Sequence, residues 1–140
     1  MRTFKILFSV SLFVAAFSCN GQTLKEETKA VSSNTVEAYY FHFTARCNTC
    51  KTVESQAQAD IELLYPELIK SGQLSFASVN LDDPDGKTIG NNLGVRGQTL
   101  LLVKGDQKIN ITNEGFMYAV SQPEKFKSII KEKIDGLLGI

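Results

Sequence analysis

Val36-Glu37-Ala38-Tyr39-Tyr40-Phe41-His42-Phe43 runs through Thr44-Ala45-Arg46 into Cys47-Asn48-Thr49-Cys50, and Lys51-Thr52 then opens a long amphipathic pattern. The order reads strand, short loop, two cysteines, helix. The first run is nearly continuous in apolar and aromatic character, which suits a strand buried on both faces at the centre of a sheet. A helix N-terminus carries unpaired backbone N–H groups and roughly half a positive charge. A thiol placed there ionises more readily, and the thiolate is the form that attacks disulfides and binds soft metals. Two cysteines three apart on the first turn can close a small disulfide or open to a dithiol. In such a pair the first, here Cys47, is the usual exposed nucleophile, and the second, Cys50, the resolving thiol. Structural disulfides and zinc ribbons also contain C-x-x-C. At a strand-to-helix junction, with further strand and helix patterns after it, the motif points to redox chemistry.

Before this stretch the chain changes character twice. Arg2 and Lys5 open it, Ile6 to Phe17 is apolar apart from Ser9 and Ser11, and Ala15, Ala16 and Ser18 supply small residues. That is a secretory signal layout over residues 1–18, with an apolar core too short for a comfortable membrane span. Its end, Ala16-Phe17-Ser18-Cys19, resembles a bacterial lipobox, which implies lipidation of Cys19 as the mature N-terminus and a place in the cell envelope, on the periplasmic side or the outer membrane. Phe17 stands where a small residue is more usual, which leaves ordinary signal cleavage as the alternative. Residues 19–35 are polar apart from Leu24 and Val31 and read as a flexible tether. Residues 36–140 form the expected domain.

Formal charge is zero over 140 residues, and removing residues 1–18 leaves 13 basic against 15 acidic side chains. Neither balance makes an electrostatic case for nucleic acid. Of three cysteines, one is Cys19. The remaining pair fits a redox couple better than a stapled scaffold.

After the cysteines, Val53, Ala57, Ile61, Leu64 and Leu68 mark one helix face, interrupted at Pro66, where a kink or a new helix near Tyr65 is expected. Leu74 to Leu81 reads as a strand, Asp82 to Gly86 as a turn, and Lys87 to Leu93 as a short helix. Thr99 to Val103 and Lys108 to Thr112 read as an antiparallel pair about Gly105-Asp106. Asn113 to Ser121 has no clear pattern. Pro123 opens a final helix buried through Phe126, Ile129, Ile130, Ile134, Leu137 and Leu138.

The string β–α–β–α–β–β–α, with Phe43 to Lys51, Val79-Asn80-Leu81-Asp82 and Leu93-Gly94-Val95-Arg96-Gly97 before Thr99 to Val103, resembles the thioredoxin family across roughly residues 35–138. The resemblance implies an α/β fold with a central mixed sheet and helices on both faces, and a protein thiol or disulfide as partner. It implies a Cys47–Cys50 disulfide as well. Four departures stand out. Asn48-Thr49 lies between the cysteines in place of Gly-Pro. Arg46 stands where the family often has tryptophan. Phe41 falls near the family's buried aspartate, and Gln98-Thr99 occupies the loop that normally carries a cis-proline. These point away from general disulfide reduction and toward one dedicated partner. A narrower likeness, in Tyr39 to His42 and Arg46 to Lys51, is to small exported thioredoxin-like subunits of nitrophenyl-compound (arsenical) reduction systems.

Arg46, always charged, is expected to favour the Cys47 thiolate if it points back toward sulfur. His42, the single histidine, could tune the same thiolate or join a metal, although a strand histidine is more often structural. Cys47, Cys50 and His42 supply at most three ligands, short of a structural zinc site, so no metal or other cofactor is expected. A soft ion or a trivalent arsenical bridging the two sulfurs is the ligand-binding alternative to catalysis. A third alternative is a docking module whose disulfide is merely structural.

Overall fold

The computed structural model describes residues 34–140. The signal segment, Cys19 and the tether up to Ser33 lie outside the described residues. The elements are β1 (Val36–His42), α1 (Asn48–Leu64), α2 (Pro66–Lys70), β2 (Leu74–Asn80), α3 (Pro84–Leu93), β3 (Thr99–Lys104), β4 (Gln107–Asn110), α4 (Thr112–Tyr118) and α5 (Pro123–Leu138). The strands form one sheet in the order β2-β1-β3-β4. β1 runs parallel to β2, with Tyr40 opposite Ser78, and antiparallel to β3, with Tyr40 opposite Leu100. β3 and β4 close an antiparallel hairpin. This mixed order, with a helical crossover between its parallel pair, is the thioredoxin-like α/β arrangement.

β1 is central because it buries side chains on both faces. One face sets Val36, Ala38 and Tyr40 against Val53, Ala57 and Ile61 of α1 and Phe126, Ile130 and Ile134 of α5. The other sets Phe41 with Val79, Leu81, Val95, Leu101 and Val103, on the side that α3 covers. Each such aromatic or branched side chain contributes about 1.5–3 kcal/mol on burial, so a strand filled this way cannot move to an edge.

Three local outcomes refine the sequence reading. Helix α1 stops at Leu64, Tyr65 leaves helical geometry, and α2 restarts with Pro66 in its first turn, because proline has no N–H to continue the ladder. Helix α3 begins at Pro84 rather than Lys87. The acidic stretch after Asp83 is therefore helix and not turn, for the same reason. The unpatterned segment forms α4, whose Gly115 packs against α1, leaving only 2.8 Å between an added Cβ and Val53 Cγ1. A short helix with a glycine at its contact shows no apolar stripe, so periodicity misses it.

One buried charge sits in the α1 layer. Asp60 is 3% exposed. Its Oδ1 accepts from Gln56 Nε2 at 3.0 Å, and its Oδ2 has no partner. Burial pushes its carboxyl above the ordinary aspartate value, Gln56 and Lys127 oppose the shift, and Glu124 adds to it. The folded state therefore holds this proton more tightly than the unfolded one. The group favours folding most in acid, and that contribution is lost as pH rises through the folded value.

Close approach also fixes how α3 meets the sheet. A Cβ added at Gly86 would run into the backbone carbonyl of Asn80, where β2 ends. Gly86→Ala should lower the unfolding free energy by about 3 kcal/mol, read from urea melts. Gly136→Ala, in α5 with open space around it, should change it by less than about 1 kcal/mol in either direction. Equal midpoints for Gly86→Ala and the parent would refute the close contact.

Candidate functional site

The site lies where β1 and β2 end and α1 begins. β1 stops at His42, and Leu81 N–H still donates to His42 O at 2.7 Å. The loop that follows is tied down on its β2 side. Thr44 N–H donates to Asp82 Oδ2 at 2.8 Å, and Asn80 Nδ2 donates to Thr44 Oγ1 at 3.0 Å. Hydrogen bonding from the Thr44 backbone N–H and from its side chain, helped by Lys87 and His42, holds the Asp82 carboxyl below the ordinary aspartate value. The approach to the cysteines is thus anchored to the sheet.

Cys47 is the N-cap of α1, with extended backbone, and its Sγ accepts from Cys50 N–H at 3.1 Å. Sulfur here fills the place usually taken by a serine or aspartate oxygen and meets one of the unpaired donors of the first turn. Cys47 and Cys50 are joined by a disulfide, with their Cα atoms 5.1 Å apart. Their surroundings differ sharply. Cys47 is exposed, and Cys50 is 6% exposed, against the core. One cysteine is open to solvent and the other is buried behind it.

Beneath the disulfide is a polar network that the cysteine motif does not announce. Tyr40, fully buried, donates its hydroxyl to Cys50 O at 2.8 Å. The Tyr40 hydroxyl oxygen in turn accepts from Gln98 Nε2. Burial pushes the Tyr40 phenol up, Gln98 and Arg46 pull it down, and Glu54 adds to the rise. Gln98, in the loop where the family's cis-proline is expected, is therefore tied to the same β1 hydroxyl that holds the first turn of the cysteine helix. No peptide bond among the described residues is cis.

Arg46 pairs with Glu54, both side chains mostly buried. Glu54 lies one helical turn beyond Cys50, on the same face of α1. The guanidinium expected at sulfur is thus shared with a carboxylate, which reduces the field it can place on a Cys47 thiolate. His42 is 8% exposed. Its Nδ1–H donates to Phe43 O at 2.9 Å, and its Nε2 bonds Ser78 Oγ at 3.0 Å across to β2. With both nitrogens engaged, neither is left for sulfur or a metal, and the residue ties β1 to β2. Among the described residues no group of three or more His, Cys, Asp or Glu side chains is arranged to hold a metal ion. A reduced Cys47–Cys50 pair offers two soft ligands.

Tyr40, Glu54 and Gln98 are the site residues that the motif alone does not single out. Glu54 had a signal, its spacing of four from Cys50. Tyr40 shares its face of β1 with Ala38 and His42 by alternation. Gln98 has no local signal beyond the missing proline.

No family model and no curated protein matches the chain. Similar solved structures include oxidised thioredoxin O2 from Arabidopsis thaliana, 19% identical over 74% of this chain and 79% of that one, with a TM-score of 0.48. A Fasciola hepatica thioredoxin is 15% identical over 71% of this chain and 81% of that one, with a TM-score of 0.42. A structure described as a malarial protein is 22% identical over 54% and 75%, with a TM-score of 0.38.

Releasing Arg46 from its partner should strengthen its hold on the Cys47 thiolate. Glu54→Gln in the reduced protein should raise the alkylation rate of Cys47 at neutral pH about threefold, with the pH profile moving toward acid. An unchanged profile would show that the ion pair does not reach the sulfur.

Proposed function

We propose that the chain is an exported, membrane-anchored thiol–disulfide oxidoreductase or redox-relay protein working through the Cys47–Cys50 couple. The observation that carries this reading is the asymmetry of the pair, an exposed sulfur capping a helix N-terminus and a buried one behind it. In the reducing direction the Cys47 thiolate attacks one sulfur of a partner disulfide. That S–S bond breaks, a mixed disulfide forms, and the first partner sulfur leaves as a thiolate that takes up a proton. Cys50, having lost its proton, attacks Cys47 Sγ and releases the second partner thiolate. Two electrons pass to the partner and the Cys47–Cys50 bond closes. The reverse sequence oxidises a partner dithiol. Arg46 tunes the first sulfur within its pairing to Glu54. His42 supports the strand that presents the loop.

The dedicated-partner form of this reading is favoured by Gln98. Its carboxamide is bound to Tyr40, which leaves the loop without the rigid proline that presents backbone to many different partners. In that form the same dithiol also suits a soft ion or a trivalent arsenical bridging its sulfurs.

A redox titration, scored by alkylation and mass, should give a reversible two-electron midpoint between about −270 and −120 mV. Cys47→Ser should abolish exchange, and Cys50→Ser should trap a mixed disulfide. A midpoint below about −300 mV would mark a structural bridge and leave the docking-module reading in its place.

Anchoring rests on the signal layout of residues 1–18 and on Cys19, and places the domain in a bacterial cell envelope. Cells expressing the full chain should incorporate labelled palmitate into it, and Cys19→Ser should remove the label. Absence of label from the parent chain would overturn the anchor.

A further inference from the structure

Across the strand ends from Tyr40, on the face covered by α3, lies a cleft of about 220 Å³ lined by Phe43, Leu81, Lys87, Asn91, Val95 and Arg96. Its position ties it to the disulfide by two routes. Phe43 is four residues before Cys47, no more than about 14 Å of extended chain. Arg96 is two residues before Gln98, whose side chain reaches Tyr40 under Cys50. The short segment from Val95 to Gln98 therefore straddles the ends of the strands, with its first two residues in the cleft and its last in the network beneath the cysteines.

The lining has a definite chemistry. Phe43, Leu81 and Val95 give an apolar floor, Asn91 an amide, and Lys87 and Arg96 two cations. Neither cation makes an ion pair among the described residues. The acid that interacts with Lys87, Asp82, already gives its Oδ2 to Thr44 N–H. Two positive charges over an apolar floor complement a carboxylate on a short apolar stem. The volume is below the roughly 300–1,000 Å³ of pockets that enclose a whole small molecule, and suits one side chain of a larger partner.

We propose that this cleft is a recognition subsite for the disulfide partner, taking a carboxylate side chain placed beside the partner's reactive cysteine. The inference rests on the oxidoreductase reading and adds to it a substrate class, acidic protein segments. Arg96 grips the carboxylate, Lys87 adds charge from α3, and Phe43 and Val95 cover the stem. The gain is in encounter and orientation, as is usual for charged groups at the rim of an interface.

The test uses the reduced full chain and two peptide disulfides that differ only in a Glu or a Gln beside the cysteine. The parent should reduce the Glu peptide about tenfold faster than the Gln peptide at low salt, with the ratio shrinking as salt rises. Lys87→Glu with Arg96→Glu should bring the ratio to one or below. Lys70→Glu, on α2 just before the N-terminal end of β2 and so at the other end of the strands, should leave it unchanged. A parent ratio near one, or a ratio that survives the double reversal, overturns the subsite while leaving the oxidoreductase reading intact. An equal effect from Lys70→Glu overturns it also, since the preference would then belong to the general field. Preference for the anionic small disulfide dithiobis(nitrobenzoate) over neutral dithiodipyridine, without preference between the peptides, overturns a protein source for the acid. Failure to reduce either peptide overturns the subsite as a determinant of peptide choice, while the oxidoreductase reading stands or falls separately on the redox titration.

Discussion

The hydroxyl of Tyr40 lies at the junction of three elements. It projects from β1, donates to the carbonyl of Cys50 in the first turn of α1, and accepts from Gln98 in the loop before β3. A buried hydroxyl left without partners costs about 1–3 kcal/mol, so these bonds are what let Tyr40 be buried in the central strand. Together they register the helix on the sheet and the loop on the helix. The placement of Cys47 at the helix start, the burial of Cys50 and the conformation of the 95–98 segment all depend on that arrangement. A proline in the loop would supply rigidity through its ring. Here a side-chain amide supplies it through a hydrogen bond, which fixes the loop only as firmly as Tyr40 is fixed.

The disulfide therefore stands between two different environments. On the α1 side are Tyr40 and Gln98, which hold the first turn of the helix, and the Arg46–Glu54 pair. On the α3 side is a cleft with an apolar floor and two cations. In the proposed reading the first environment bears on the reactivity of the couple, and the second on what approaches it. Both reach the cysteines through short loops at one end of the sheet, after β1 and β2 and before β3, where a sheet leaves chain free of its ladder. Rigidity of the parallel pair β1–β2 is what lets such loops hold geometry, and Thr44, Asn80 and Asp82 extend that rigidity into the loop before Cys47.

Much of this was legible from the chain. The aromatic run of β1, the cysteine pair at a strand-to-helix boundary, the break at Pro66 and the final amphipathic helix are local patterns with local causes, and each lies where the periodicity placed it. The start of α3 was read three residues late because Asp83-Pro84-Asp85-Gly86 has the composition of a turn, while proline at a first helical position is equally at home. Helix α4 escaped because a seven-residue element with glycine at its contact carries no stripe.

By itself, then, the sequence determined the order of the elements other than α4, the buried centre of the sheet and the chemistry available at Cys47 and Cys50, because these follow from periodicity and from residue type at a helix start. Tertiary structure alone decided the partners of Arg46, His42, Tyr40 and Gln98. It also decided that Phe43, Lys87 and Arg96, far apart in the chain, line one cleft. The reason is that polar side chains choose partners by proximity in space. Arg46 could have faced sulfur and His42 could have faced a metal, and nothing in their neighbours along the chain forbade it. Only the packing of α1 on β1, and of β1 on β2, brought Glu54 to one and Ser78 to the other.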